Sequence, residues 1–208
     1  MSGERRPPVA WVLNLDAEEE LRRPTGYTRS RATQQQIRKS ERTLRQVGLV
    51  REGDVVIDGE EGEAAKGLPG RAWCPTPRAR AQLQAAGADV PAAPSLEVLQ
   101  RVNDRRFALE LGVETGLGSV YLREVDDMRA MVSVGGPWLL KRTFSFAGRG
   151  HRRILGPWQD DDTRWCHNAT HDGWGIVVEP LVERLVDFSL HARLTREGEL
   201  RVGRALVQ

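Results

Sequence analysis

Lysine is nearly absent from this sequence. Only three of its 31 basic residues are lysines (Lys39, Lys66 and Lys141), so arginine is the default cation and a lysine in a chemically suggestive place stands out. Cysteine is scarce too. Cys74 and Cys166 lie far apart and form no metal or redox spacing, which predicts free thiols in a reducing compartment. No apolar run approaches the roughly 20 residues that cross a bilayer, and Met1 to Pro8 is polar, without the apolar core of a secretory signal. These absences argue against a membrane partner and predict a cytoplasmic location. The net charge is only +2. The arginine-rich stretches Arg22-Arg23, Arg29 to Arg45 and Arg78-Arg80 have acids beside them and no interleaved aromatics, so they read as solvated faces, not as a nucleic-acid surface. No Gly-x-Gly-x-x-Gly follows the first strand, which excludes a dinucleotide-binding domain there.

What is present is the composition of a globular protein, 39% hydrophobic and 29% charged over 208 residues. The apolar run Val9 to Leu15 reads as a buried strand that ends in the acids Asp16 to Glu20. A helical stripe carries Ile37, Leu44 and Val47 up to Gly48. Asp54 to Ile57 and Ala72 to Cys74 read as short strands, and Thr76-Pro77 caps and opens a helix that stops at Gly87. Ser95, and then Asn103 or Asp104, cap two further helices. A glycine-rich stretch from Gly112 to Gly118 follows and makes the best domain boundary. Beyond it the pattern predicts strand Val120 to Leu122 and a helix capped by Asp126 or Asp127. Strand Trp138 to Lys141, strand Arg152 to Leu155, helix Asp160 to Thr170 and strand Trp174 to Glu179 come next. Strands Asp187 to Leu194 and Leu200 to Val207, with a turn at Gly198, complete an α/β (α+β) chain.

Three features carry chemistry. Lys141 ends a buried strand, and the loop Ser145 to Gly150, with Gly148, Arg149 and Gly150, can turn backbone N–H groups toward phosphate oxygens. Val177 to Val182 is a strand broken by Pro180, whose exposed backbone groups near Glu179, Leu181 and Val182 could pair with an adenine edge. Asp187 downstream could accept bonds from ribose hydroxyls. Arg105, in Asn103-Asp104-Arg105-Arg106, is a cation at the start of a helix.

The order of these features resembles the ATP-grasp enzymes, across nearly the whole chain. That family runs from a small α/β domain through a helix-opening Asp-Lys pair to a strand-end lysine, a glycine-rich flap, a hinge strand with a glutamate and a following acid. The matching parts here are Asp104-Arg105, Lys141, Ser145 to Gly150, Glu179 to Val182 and Asp187-Phe188-Ser189. The resemblance implies a small α/β domain with a helical connection over 1–112, then a partial ATP-grasp fold with a nucleotide-binding subdomain over 113–208. It implies ATP as cofactor, with Lys141 on the α- and β-phosphates, the loop over the phosphates, the backbone near Glu179, Leu181 and Val182 on adenine, and Asp187 on ribose. Arg105 stands where the family has its first phosphate lysine, keeping the charge without the compact ammonium geometry.

The family also uses Mg2+, held by a Glu and an Asn in a later segment. This chain reaches Gln208 in a strand-like stretch, and Glu197 and Glu199 read as turn acids. The metal-binding portion is therefore expected in a further segment or a partner chain. Two functional readings follow. One is the ATP-binding part of an ADP-forming ligase that activates a carboxylate substrate as an acyl phosphate for an amine or thiol. The other is a non-catalytic nucleotide-binding or interaction module of the same fold. A competing metal site at Cys166, His167 and His171 has too few ligands to close a zinc centre.

Overall fold

A computed structural model of the chain describes residues 6–58, 63–112, 118–145, 150–183, 185–195 and 197–207. The first sheet is three parallel strands in the order β2-β1-β3: β1 (Ala10–Val12), β2 (Val55–Val56) and β3 (Gly70–Ala72). The continuous apolar run around β1 has a simple cause, because both of its faces are covered. Ala10 and Val12 pack with Ala79 and Leu83 of α3 (Pro77–Ala85). Val9, Trp11 and Leu13 pack with Ile37 and Leu44 of α2 (Arg31–Gln46) on the other side. The buried Asp54 carboxylate pins the start of the sheet. It accepts bonds from Arg6, the Val9 and Arg51 amides and the Trp11 indole. Burial opposes that charge, but these donors outweigh it and hold the carboxyl down to about 2.

Several boundaries differ from the sequence reading, two of them in the first half with a clear cause. The acids after β1 are not a strand end but a short helix, α1 (Ala17–Arg22), whose first turn carries Glu18, Glu19 and Glu20 where acids suit the helix dipole. The third strand ends at Ala72. At Cys74 the side chain of Asn14 replaces a strand partner, accepting from the Cys74 amide and donating to its carbonyl.

Helices α4 (Leu96–Asn103) and α5 (Arg105–Glu110) follow α3, with Ser95 and Asp104 as their caps. The second sheet is antiparallel, in the order β4-β7-β5-β6: β4 (Val120–Leu122), β5 (Trp138–Arg142), β6 (His151–Ile154) and β7 (Ile176–Pro180). Helices α6 (Val125–Ser133) and α7 (Asp160–Thr170) cover one face. There Leu140, Ile154, Ile176 and Val178 meet Met128, Val132, Cys166 and Ala169. Helix α6 starts before the expected Asp126 or Asp127 because Val125 already packs on that core. Strands β8 (Phe188–Leu194) and β9 (Leu200–Val207) form a separate hairpin. Glu199 in its turn pairs with Arg201. Among the described residues, no helix is long and apolar enough to cross a membrane.

A small apolar cluster joins the two halves. Leu21 of α1, Leu99 of α4 and Phe144 after β5 are buried together with Trp174, whose ring meets Phe144 edge-on at 4.8 Å.

Candidate functional site

Strand parity selects the residues on the face of the second sheet away from α6 and α7. Leu140 and Val178 point into the helix-covered core, so Leu139, Lys141, Val177 and Glu179 point the other way. Lys141 sits opposite Val177, and Leu139 opposite Glu179. Lys141 and Glu179 are therefore diagonal neighbours, a separation a long side chain can bridge. Lys141 Nζ forms an ion pair with Glu179 Oε1, and only 19% and 16% of the two side chains are exposed, so solvent screens the pair weakly.

Arg105 approaches the same face from the start of α5. The Asp104 carboxylate caps this helix by accepting from the Arg106 amide at 2.7 Å. The Arg105 amide donates to the Thr143 carbonyl at 3.4 Å. Its guanidinium donates through Nε to the Arg142 carbonyl at 3.0 Å, and through Nη2 to the Ser145 carbonyl at 3.3 Å and Oγ at 3.0 Å. Burial pulls the Arg105 pKa below its usual value, with the nearby Glu179 and Glu18 carboxylates opposing. Glu179 is thus ion-paired with Lys141 and lies within electrostatic reach of Arg105.

The loop after β5 is closed at its neck. The Arg142 amide donates to the Gly150 carbonyl at 2.9 Å, the last rung before the chain departs. Gly150 must be glycine, since a Cβ there would fall on Ser145 Cβ and lie 2.7 Å from its Oγ. Phe146, Ala147, Gly148 and Arg149 lie outside the described residues. Thr143 Oγ1 donates to the Gly175 carbonyl at 2.7 Å, and the Gly175 amide donates to the Tyr121 hydroxyl at 2.7 Å, tying the end of β5 to the start of β7.

At the other end of β7, the Leu181 amide donates to the Pro137 carbonyl at 2.8 Å. Its N–H is spent on the sheet, which leaves Leu181 a carbonyl and a half-buried side chain to offer a ligand. By the alternation of an extended strand, Pro180 turns its carbonyl to the side away from β5. Val182 follows, exposed, and Asp187 stands exposed just before β8. The structure thus brings Arg105, Lys141, Ser145, Gly150 and Glu179 together at one corner. Leu181, Val182 and Asp187 lie along the exit of β7 instead.

Sequence reasoning missed Glu18, Thr143 and Gly175. Glu18 was visible only as one acid of a run. Its Oε2 is buried and has no hydrogen-bond partner among the described residues. Burial raises its carboxyl above the usual range, with Asp16 and Glu19 adding and Arg105 opposing. The competing metal cluster does not assemble. Cys166 is wholly buried on α7 while His167 is exposed, and His171 bonds Asp172 and the Asn168 carbonyl. Burial pushes the Cys166 thiol up to about 12, which disfavours the thiolate a metal needs.

No family model matches the sequence, and no curated protein matches it. Similar solved structures exist. The N5-carboxyaminoimidazole synthetase from Staphylococcus aureus, complexed with ADP, has 12% identity and a TM-score of 0.50, over 96% of this chain and 54% of that one. An N5-carboxyaminoimidazole ribonucleotide synthetase from Thermus thermophilus has 21% identity and a TM-score of 0.49, over 96% and 54%. The D-alanyl-alanine synthetase A from Vibrio cholerae has 9% identity and a TM-score of 0.48, over 97% and 67%. The chain spans about half the length of the first two. At such identities the likeness is one of architecture, which the S. aureus structure carries: the chain has an ATP-grasp-like fold.

Proposed function

We propose that this chain binds ATP as the nucleotide-holding part of a ligase that activates a carboxylate as an acyl phosphate. In this reading residues 1–112 form the leading α/β domain with its helical connection, and residues 113–208 hold the nucleotide. One observation carries the proposal: Lys141, a cation with little exposure, is held against the Glu179 carboxylate on the same corner as the neck of a glycine-containing loop that Arg105 ties down. A corner where a cation already holds one negative group suits phosphate oxygens, which make strong charge-assisted bonds there. Lys141 would exchange Glu179 for phosphate, and the Ser145 to Gly150 loop would cover it. The Pro180 carbonyl and the Val182 amide, on the side of β7 away from β5, would read the adenine edge, and Asp187 would hold ribose.

In the reaction, a carboxylate oxygen of the substrate attacks the γ-phosphorus and the bond to the β–γ bridging oxygen breaks. ADP leaves, and an acyl phosphate forms. An amine or thiol then attacks the acyl carbon and phosphate departs. Lys141 would stabilise charge developing on the phosphates, where a fixed cation in a poorly solvated corner has its largest effect. Magnesium is usual for such chemistry. Such a magnesium ion is held by one or two carboxylates together with the phosphates themselves, and among the described residues no group of three His, Cys, Asp or Glu side chains lies close enough to hold a metal ion without them.

The test is turnover. ADP release is measured with Mg2+, a panel of small carboxylic acids and amines, and the chain both alone and extended at its C-terminus. ADP release that depends on an added acid supports the ligase reading. ATP binding without turnover in either form would replace it with the non-catalytic nucleotide-binding module.

A further inference from the structure

The geometry points to Arg105 as the positioning residue of the phosphate loop, one that holds the loop's neck in place and does not itself grip phosphate. This rests on the nucleotide-binding reading for its purpose, though the contacts stand without it. The Nε and Nη2 groups lie on one edge of the planar guanidinium, and that whole edge is committed to the chain after β5. Nε reaches the Arg142 carbonyl, and Nη2 reaches both the carbonyl and the hydroxyl of Ser145. The Arg105 amide adds a bond to the Thr143 carbonyl between them. Carbonyls at 142, 143 and 145 are thus gathered onto one residue of another helix.

The effect passes directly to the neck. Ser145, held by Arg105, packs where any side chain at Gly150 would have to stand, and the Gly150 carbonyl accepts the Arg142 amide. Arg105, Ser145, Gly150 and Arg142 form a closed ring of contacts around the base of the loop. A lysine could not make this ring. Its single nitrogen carries the same charge but has no second donor spaced to span Arg142 and Ser145 together. The fork accounts for arginine at a place where the chemistry of phosphate alone would be served by either cation.

The experiment compares Arg105→Lys, Arg105→Ala and Ser145→Ala with the wild-type chain. Hydrogen exchange of the Arg142 amide is followed without nucleotide, and ADP and adenosine affinities are measured by calorimetry. Both Arg105 variants should speed Arg142 exchange at least about tenfold. They should weaken ADP by a similar factor, about tenfold, and leave adenosine unchanged. Ser145→Ala should shift both readouts the same way by less. Charge, in short, should not rescue.

A lysine variant with wild-type ADP affinity beside a weakened alanine variant would mean direct phosphate contact and would overturn the inference. So would wild-type Arg142 exchange in all three variants. If the Arg105 variants do not fold, Ser145→Ala decides alone, and unchanged Arg142 exchange there rejects the ring. If wild-type protein binds no ADP, the nucleotide reading fails, while the exchange results still decide whether Arg105 holds the loop.

Discussion

Lys141→Ala is expected to abolish the thermal stabilisation that ATP gives the wild-type chain. At ATP a hundredfold above its dissociation constant, binding adds about 2.7 kcal/mol to stability. For a chain of this size that is roughly a 5–10 °C rise in melting temperature. Lys141 is one of two cations at the corner, and Arg105 has committed one edge to the loop. Removing Lys141 does more than delete a contact. The Glu179 carboxylate loses its ion-pair partner and stands beside the incoming phosphates as a repelling charge. The loss should therefore exceed that of one hydrogen bond to a charged group, about 1.5–3 kcal/mol. Differential scanning fluorimetry with and without ATP reads it. A variant that keeps the full ATP-dependent shift would show that Lys141 is not the phosphate cation.

The second large effect lies away from the site, at Arg22. Its side chain is only 2% exposed, yet it joins α1 of the first half to the end of α7 in the second. Nη2 donates to the Asn168 and Ala169 carbonyls at 3.3 and 3.2 Å, carbonyls in the last turn of α7 that lack partners within the helix. Nε lies 2.9 Å from Asp172 Oδ2, which is also 3.3 Å from Arg23 Nε. These are ion-pair contacts without hydrogen-bond geometry. The Trp174 indole donates to the Arg22 carbonyl at 3.1 Å, so backbone and side chain both bridge the halves. Burial, with Arg142 nearby, lowers the Arg22 pKa, and Asp172 and Glu19 oppose it.

Arg22→Ala would take the Arg22 donor from two helix-end carbonyls, and from the mostly buried Asp172 the more buried of its two arginine partners. Breaking such a network from one side costs about 3–5 kcal/mol. Urea unfolding at pH 7 should show that loss in the midpoint, with Arg22→Met recovering only the packing of the stem. A loss below about 1 kcal/mol would place this contact with ordinary surface pairs.

Some of this was legible in the sequence and some was not, for identifiable reasons. The strand around Ala10 to Val12 could be read because covering both faces demands an unbroken apolar run. The β8–β9 hairpin could be read from its alternation around Gly198. The convergence of Lys141 and Glu179 could be anticipated only as an order of motifs; their meeting depends on a register that sets Lys141 opposite Val177. Helix α1 was hidden because its acids resemble a solvated turn, whereas Leu21, buried with Leu99 and Phe144, holds it in place. The use of Arg105 was hidden more deeply, since its partners at 142 and 145 are carbonyls and a hydroxyl some 37–40 residues away. Carbonyls carry no side-chain signature, so local pattern does not reveal them. The Leu181 amide was hidden for the same reason, because its partner is the Pro137 carbonyl.

The most direct measurement of the central claim is a calorimetric titration of the wild-type chain with ATP, and separately with adenosine. If Lys141 and the loop neck hold phosphates, ATP binds one-to-one and at least about tenfold tighter than adenosine, since each charge-assisted contact to phosphate is worth more than that factor. Equal affinities for the two, or no heat from ATP at all, would contradict it.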